Sequence, residues 1–198
     1  MKAALSAGFE NPPVQASHAF RMLMTAMAQP GIVQFLPFEI DFPKPLNAGS
    51  AMIMLTLLDH ETPAWVDQDL SQDPVLDYLK FHCGSPIAKT PRNAMFAFFK
   101  HCPDQTVLSD FAIGTPEYPD SSTTYVIQLD HLTPDGDVAL SGPGIQTVNT
   151  FGAAGLNHSF WEWAKRNHAE FPLGNDVFLA SNDAIVALPR SVRILEMA

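Results

Sequence analysis

Apolar residues recur along this chain with the period of a helix in some segments and of a strand in others. Helical spacing begins behind Pro12-Pro13 and continues to Met27, and Gln29-Pro30-Gly31 is expected to end that helix. Residues 48–58 are apolar nearly all round, which predicts a buried helix with Asn47 as its N-cap. Shorter helices are predicted over residues 75–79, within residues 105–111, and from a capping box at Ser159 to residue 169.

Strands are predicted where β-branched and apolar residues cluster between turn residues. They cover residues 32–35, 62–66, 81–88, 95–99, 122–129, 138–140, 176–180, 184–188 and 191–195. Residues 131–136 are predicted to form a turn, and Gly84 and Pro86 are expected to interrupt the strand over 81–88. Because helices and strands alternate without an intervening linker, residues 1–198 are predicted to form one layered domain of the α/β or α+β class.

The segment over residues 138–145 ends in the tight sequence Ser141-Gly142-Pro143-Gly144. Glycine adopts positive φ without strain, whereas proline fixes φ and has no N–H, so this turn is stiff. Two interpretations remain open: a simple connection between strands, or a concavity whose N–H groups bind an anion. A dinucleotide-binding fingerprint is disfavoured, because Thr147 stands where its third glycine belongs.

Composition narrows the classes of partner. The net charge is −10, and the 11 Lys and Arg residues form no basic stripe, which argues against nucleic-acid binding. No apolar run approaches the roughly 20 residues of a membrane span, and the first residues lack the apolar segment of a signal peptide. With only two cysteines, a reducing cytoplasm is expected. Charged residues make up 16%, where about 25% is usual, which indicates a surface partly covered by a partner.

Histidine and cysteine occur side by side twice, as His82-Cys83 and His101-Cys102. Neighbouring side chains on a strand point to opposite faces, so neither pair is expected to bind a metal. An activated Cys83 thiol is the less common alternative to a small buried cysteine.

Polar residues near predicted turns leave further alternatives open. Glu117 and the hydroxyl residues that follow it could bind a polar ligand or could simply solvate a loop. Asp176 begins a predicted strand and Arg190 ends the next one. The two could pair structurally across a hairpin, or the guanidinium could bind a phosphate or phosphonate.

Taken in order, these motifs resemble one family, the H subunit of the bacterial carbon–phosphorus lyase system (PhnH). No single motif is specific, whereas their order and spacing along nearly the whole chain are. The matching motifs are Gly8-Phe9, Phe20-Arg21, Met27-Ala28-Gln29-Pro30-Gly31, Leu55-Thr56-Leu57-Leu58-Asp59 with Thr62-Pro63, Phe81-His82-Cys83-Gly84, Gly114-Thr115-Pro116-Glu117, Leu140-Ser141-Gly142-Pro143-Gly144-Ile145, Phe171-Pro172-Leu173-Gly174 with Asp176, and Leu188-Pro189-Arg190. Cys83 stands where relatives are expected to have a small hydroxyl residue such as Thr.

The resemblance implies an α/β fold, a single layered α/β/α domain with a mixed sheet, similar to pyridoxal-phosphate-dependent transferases. It implies that this cofactor is absent, and no lysine here is assignable as a Schiff-base residue. It implies a homodimer in isolation and a core complex with the G, I and J subunits. With G, I and L subunits, family members support a transfer in which phosphonate displaces adenine from MgATP and yields a ribose 1-phosphonate 5-triphosphate.

The expected role is therefore that of an accessory subunit, with no bound cofactor or metal. Alternatives are a small-anion-binding enzyme that acts alone, using the Ser141-Gly144 turn and Arg190, and a purely structural scaffold. The family supplies no settled catalytic set, so the matching positions are candidates for ligand or interface contacts only. They are Arg21, His82, Gly84, Glu117, Ser141, Gly142, Gly144, Asp176 and Arg190.

Overall fold

The computed structural model describes residues 5–197, which form five α-helices and nine β-strands. The helices are α1 (Pro12–Ala28), α2 (Ala48–Leu57), α3 (Asp73–Cys83), α4 (Gln105–Leu108) and α5 (His158–Ala169). The strands are β1 (Gln34–Phe35), β2 (Ala64–Val66), β3 (Phe96–Phe99), β4 (Thr124–Gln128), β5 (Leu132–Ser141), β6 (Asn149–Ala153), β7 (Val177–Ala180), β8 (Ala184–Leu188) and β9 (Arg193–Met197). Residues 1–4, part of the segment predicted to contain no signal peptide, and residue 198 lie outside the described residues.

A six-stranded sheet in the order β1-β8-β7-β4-β3-β2 forms the centre of the fold. Strands β2, β3, β4 and β7 are parallel neighbours, whereas β8 pairs antiparallel with β7 and β1 antiparallel with β8. A second, antiparallel sheet has the order β6-β5-β9. This arrangement confirms the α/β class and the mixed sheet.

The central sheet separates two apolar clusters, because successive side chains of a strand point to opposite faces. In β4, Val126 lies in the cluster that also holds the buried residues of α1, α2 and α3. Tyr125 and Ile127 lie in the other cluster, which includes residues of α4, α5 and the three-stranded sheet. Both faces of the parallel strands are thus covered, which explains why these strands are continuous apolar runs.

Helix α2 is buried over its first seven residues, as its uniformly apolar sequence predicts. The Asn47 side chain caps it by accepting a hydrogen bond of 2.8 Å from the Ser50 N–H. A Cβ on Gly49 would lie 2.8 Å from the Ser181 carbonyl oxygen, so glycine permits α2 to approach the β7–β8 turn.

Within residues 5–197, no helix is both long enough and apolar enough to cross a bilayer.

The prediction of a strand over residues 81–88 is wrong. Helix α3 continues to Cys83 and is ended by Gly84, which has φ +65° and donates its N–H to the Lys80 carbonyl. Burial of Val75, Tyr78 and Leu79 on one face of α3 stabilises the longer helix. Of the expected strand, Ile87 alone makes a bridge, to Ala64.

Three further predictions need correction in their boundaries. Residues 131–136 do not form a separate turn, because β5 already begins at Leu132 and its register with β6 shifts between Thr133 and Val138, as at a β-bulge. Helix α5 is capped by Asn157 rather than Ser159, through a 2.8 Å bond from the Phe160 N–H. The last strand is shifted to Arg193–Met197, at an edge of the three-stranded sheet.

Candidate functional site

Asp176 and Arg190 meet at the open end of the β7–β8 hairpin. Arg190 Nη2 donates to Asp176 Oδ2 at 2.7 Å and Nε donates to Oδ1 at 3.2 Å. The Arg190 backbone N–H donates to the same Oδ1 at 2.8 Å. The two side chains are only 13% and 25% exposed, so water screens this forked pair weakly.

The remaining donors of Arg190 extend the network to the loop that contains Glu117. Nη1 donates to the Pro119 carbonyl at 2.7 Å, and Nη2 donates to Ser122 Oγ at 2.6 Å. Glu117 itself is exposed on this loop. The guanidinium therefore makes all of these hydrogen bonds within the fold, to Asp176, Pro119 and Ser122.

Asn175 explains why the neighbouring motifs come together. Its side chain is buried, and Nδ2 donates to the carbonyls of Ala112 at 2.7 Å and Thr123 at 2.8 Å. These bonds tie the segment before β7 to both ends of the Glu117 loop. Because a buried amide must be satisfied, these two bonds account for an asparagine at position 175.

The Ser141-Gly142-Pro143-Gly144 turn joins β5 to the segment before β6 and packs against α1. Gly144 has φ +80°, and a Cβ there would lie 2.1 Å from the Ala28 carbonyl oxygen. A Cβ on Gly142 would lie 3.1 Å from the Ser191 carbonyl oxygen. The atoms nearest the two glycines thus include carbonyl oxygens, whose partial negative charge repels an anion. This geometry favours the connecting-turn interpretation.

His82 and Gly84 lie elsewhere, at the end of α3. A ring nitrogen of His82, Nε2, is 2.9 Å from the Ser6 carbonyl oxygen, and the ring lies 4.5 Å from that of Tyr78. The Cys83 thiol donates to the Met54 carbonyl at 3.4 Å, and burial raises the pKa of Cys83 to about 12. The thiol therefore stays protonated at neutral pH, which argues against an activated nucleophile.

Arg21 lies on the exposed side of α1, away from the other candidates in sequence and in element. Phe20 and Met24, spaced four residues apart on the same helix, are 48% and 55% exposed. A large apolar pair that faces solvent is typical of an interaction surface. This face is a candidate interface rather than a ligand site.

The structure also reveals a cleft of about 530 Å³ that the sequence analysis missed. It lies where β3, β4 and β7 end, and it is bordered by the segment before α2. Its lining comprises Lys44, Pro45, Leu46, Asn47, Lys100, His101, Cys102, Gln128, Leu129, Asp130, His131, Gly155 and Asn182. The available signal was that Lys100-His101-Cys102 and Asp130-His131 each follow a buried parallel strand, since ligands of open α/β sheets bind outside the carboxyl ends of strands.

Two buried amides form the floor of the cleft. Gln128 Oε1 accepts from the Asn47 N–H at 2.6 Å, and Gln128 Nε2 donates to the Pro45 carbonyl at 3.1 Å. Asn47 Nδ2 donates to the Ala180 carbonyl at 2.7 Å. The floor is therefore a satisfied scaffold that holds β4, β7 and the start of α2 in register. Among the described residues, no three His, Cys, Asp or Glu side chains are grouped so as to hold a metal ion.

Comparison with known proteins gives the family. Residues 7–195 match the family model described as the bacterial phosphonate metabolism protein PhnH. This chain belongs to the PhnH family. The alpha-D-ribose 1-methylphosphonate 5-triphosphate synthase subunit PhnH of Rhizobium meliloti (strain 1021) is 35% identical over 189 residues, which cover 96% of this chain and 94% of that protein. The putative C-P lyase subunit protein HtxG of Stutzerimonas stutzeri is 28% identical over 179 residues, which cover 89% of this chain and 84% of that protein.

Membership of the PhnH family confirms the resemblance inferred from the motifs. In this family member, the motifs 171–176 and 188–190 meet in the Asp176–Arg190 network, and the loop that contains the motif 114–117 joins it through the carbonyls of Ala112 and Pro119. The motif positions 140–145 and 27–31 converge on the contact between the glycine turn and α1. Five of the motifs therefore lie at two packing contacts of the fold, and the cleft lies outside both.

Proposed function

We propose that this chain is an accessory subunit of a carbon–phosphorus lyase complex, where it supports an alpha-D-ribose 1-phosphonate 5-triphosphate synthase. The observation that carries the proposal is the 35% identity, over 96% of this chain, to a relative named as a subunit of that synthase. The second relative, named as a putative C-P lyase subunit, agrees with it. The reaction supported is the displacement of adenine from MgATP by an organophosphonate.

The surface of the chain supports a role in assembly. Besides Phe20 and Met24 on α1, Phe35 is 58% exposed on β1, an edge strand of the central sheet. Phe81 on α3 is 72% exposed. Exposed aromatic side chains of this size are enriched in protein interfaces. We assign these exposed side chains to contacts with the G, I and J subunits and, in the isolated protein, to a homodimer.

The proposal includes three further statements about the chain. Its layered architecture is related to that of pyridoxal-phosphate-dependent transferases. It binds no such cofactor, so the purified protein should lack the visible absorption of a pyridoxal aldimine. It acts in the cytoplasm, without nucleic acid or membrane as a partner.

Deletion and reconstitution test the proposal. A host that lacks the gene for this chain should fail to grow on methylphosphonate as sole phosphorus source, and the intact gene should restore growth. The chain should co-purify with tagged G, I and J subunits. Adenine should be released from MgATP and methylphosphonate by the reconstituted subunits and not by this chain alone. Adenine release by the isolated chain would overturn the accessory role, and absence of co-purification would overturn the assignment to the complex.

A further inference from the structure

We propose that the cleft at the ends of β3, β4 and β7 binds a small ligand through its phosphoryl or phosphonyl group. The groups that contact the oxyanion are the ammonium groups of Lys44 and Lys100 and the imidazoles of His101 and His131. This inference rests on the cleft alone and stands whether or not the chain is a subunit of the proposed complex.

The place and the size of the cleft are those of a ligand site. Three neighbouring parallel strands end at it, and loops that follow such strands carry binding residues in open α/β sheets. A volume of about 530 Å³ lies within the range of pockets for small molecules, which is roughly 300–1,000 Å³. A residue held by the rigid ends of the sheet is also positioned more precisely than one on a free loop.

The charge of the lining identifies the ligand class. The chain as a whole has a net charge of −10, yet this cleft brings together two lysines and two histidines against one carboxylate, that of Asp130. Among the described residues, neither lysine forms an ion pair with a carboxylate. Two ammonium groups without an ion-pair partner, together with the adjacent imidazoles, complement a multiply charged oxyanion, and a concave surface with an excess of positive charge concentrates anionic ligands.

Local contacts fix the main chain of Lys100 and the ammonium group of Lys44. The Lys100 backbone N–H donates to Asp67 Oδ2 at 2.8 Å, directly after β3, and its side chain is half-buried. The Lys44 ammonium lies 5.2 Å from the centroid of the Phe42 ring. A cation over an aromatic face is favourable, so the ring restrains the lysine beside the cleft while its N–H groups stay available to a ligand.

The first turn of α2 contributes no backbone donors to the cleft. In the first turn of α2, the Ala48 N–H donates to Asn182 Oδ1 and the Gly49 N–H to the Ser181 carbonyl. The Ser50 N–H is used by Asn47. Because these N–H groups are occupied, α2 does not offer the usual anion site of a helix N-terminus. Neutralising both lysines should therefore weaken binding strongly.

Titration calorimetry with the full-length chain tests this directly. The probes are inorganic phosphate, methylphosphonate, tripolyphosphate and Mg-free ATP, with citrate as a polyanion that has no phosphoryl group. Tripolyphosphate or ATP should bind with a Kd below about 1 mM at low salt, and citrate should bind at least about tenfold more weakly. The double substitution K44Q/K100Q should weaken binding by about 100-fold, since each charge-assisted contact contributes about tenfold.

The substitution Lys89→Gln is the matched control, because Lys89 is exposed and lies outside the cleft. It removes one positive charge, half of what K44Q/K100Q removes, and should leave the Kd unchanged. Equal losses in Lys89→Gln and K44Q/K100Q would indicate attraction by the overall charge, and would overturn the proposal. So would equal binding of citrate and tripolyphosphate, or no binding of any phosphoryl probe.

Cysteine labelling of the unmodified protein gives a readout that does not depend on the folding of a variant. Cys102 lines the cleft and is half-buried, whereas Cys83 is half-buried at the end of α3. A bound phosphoryl ligand should slow the alkylation of Cys102 at least about threefold and leave Cys83 unaffected. Equal rates with and without ligand at Cys102, at saturating ATP, would refute the site. Co-purification with the partner subunits is measured separately, so failure of this site and failure of the proposed function are distinguishable.

Discussion

Replacing Arg190 by alanine tests whether the Asp176–Arg190 network stabilises the fold or serves a ligand. The substitution removes the hydrogen bonds from Nε and Nη2 to Asp176, from Nη1 to the Pro119 carbonyl, and from Nη2 to Ser122 Oγ. It leaves a carboxylate that is only 25% exposed without its counter-charge. The backbone N–H of residue 190 still reaches Asp176 Oδ1, so the carboxylate keeps one donor.

The expected loss of unfolding free energy follows from these contacts. A half-buried carboxylate deprived of its forked partner costs about 3 kcal/mol, at the lower end for broken buried pairs because both side chains retain some contact with water. For a chain of this length, that corresponds to a fall in Tm of about 6–12 °C. Arg190→Lys keeps the charge but loses the fork, so about half of the loss is expected.

Urea unfolding followed by circular dichroism measures the effect, with Arg21→Ala as control. Arg21 lies on the exposed side of α1, so its removal should change stability by less than about 0.5 kcal/mol. If Arg190→Ala were as stable as Arg21→Ala and still abolished growth on methylphosphonate, the guanidinium would act on a ligand. The structural interpretation of the pair would then be refuted.

Three other predictions concern single positions. Gly144→Ala should lower the free energy of unfolding by more than about 2 kcal/mol, because its Cβ would collide with the Ala28 carbonyl. Gly84 has the same sign of φ but open space around it, so Gly84→Ala should lower that free energy by about 1 kcal/mol. Similar urea midpoints for the two variants would contradict the packing argument. Cys83, whose thiol pKa is raised to about 12 by burial, should be alkylated at least about 100-fold more slowly at neutral pH in the folded chain than in urea, and fast labelling would show an exposed or activated thiol. Burial raises the pKa of Asp67, so the unfolded chain releases this proton at a lower pH than the folded chain. The free energy of unfolding should therefore fall as the pH rises from about 4 towards neutrality. Asp67→Asn should remove this part of the pH dependence, and an unchanged pH dependence would exclude Asp67 as its source.

Local sequence predicted the elements whose apolar pattern agrees with their environment. Helix α2 is buried on all sides and its sequence is apolar on all sides, so the pattern and the tertiary structure impose the same answer. The same holds for β3, β4 and the β7–β8 hairpin, which are short apolar runs between turn residues. The strand predicted over residues 81–88 failed, because an apolar run with a glycine is locally ambiguous. Burial of Tyr78 and Leu79 extended α3 up to Gly84 instead.

The candidate site, like the fold, was predicted only in part from the sequence. The sequence left two alternatives open for Asp176 and Arg190. The structure shows them paired, because the hairpin places both side chains at its open end, where a distant loop supplies the Pro119 and Ser122 acceptors. The glycine turn was recognised as stiff, but its neighbour Ala28 lies more than a hundred positions away in the chain. Distances of this kind are set by packing and leave no periodic signal.

What the sequence determined by itself is therefore the family, the α/β class and the strongly patterned elements, since each depends on residue order and local periodicity. Only the tertiary structure decided which polar residues meet. Lys100 and His131 share a cleft because β3 and β4 are parallel neighbours that end at the same edge of the sheet, and the segment before α2 brings Lys44 to the same place. Strand order arises from contacts between residues far apart in sequence, so it is decided by the burial of both sheet faces rather than by any local pattern.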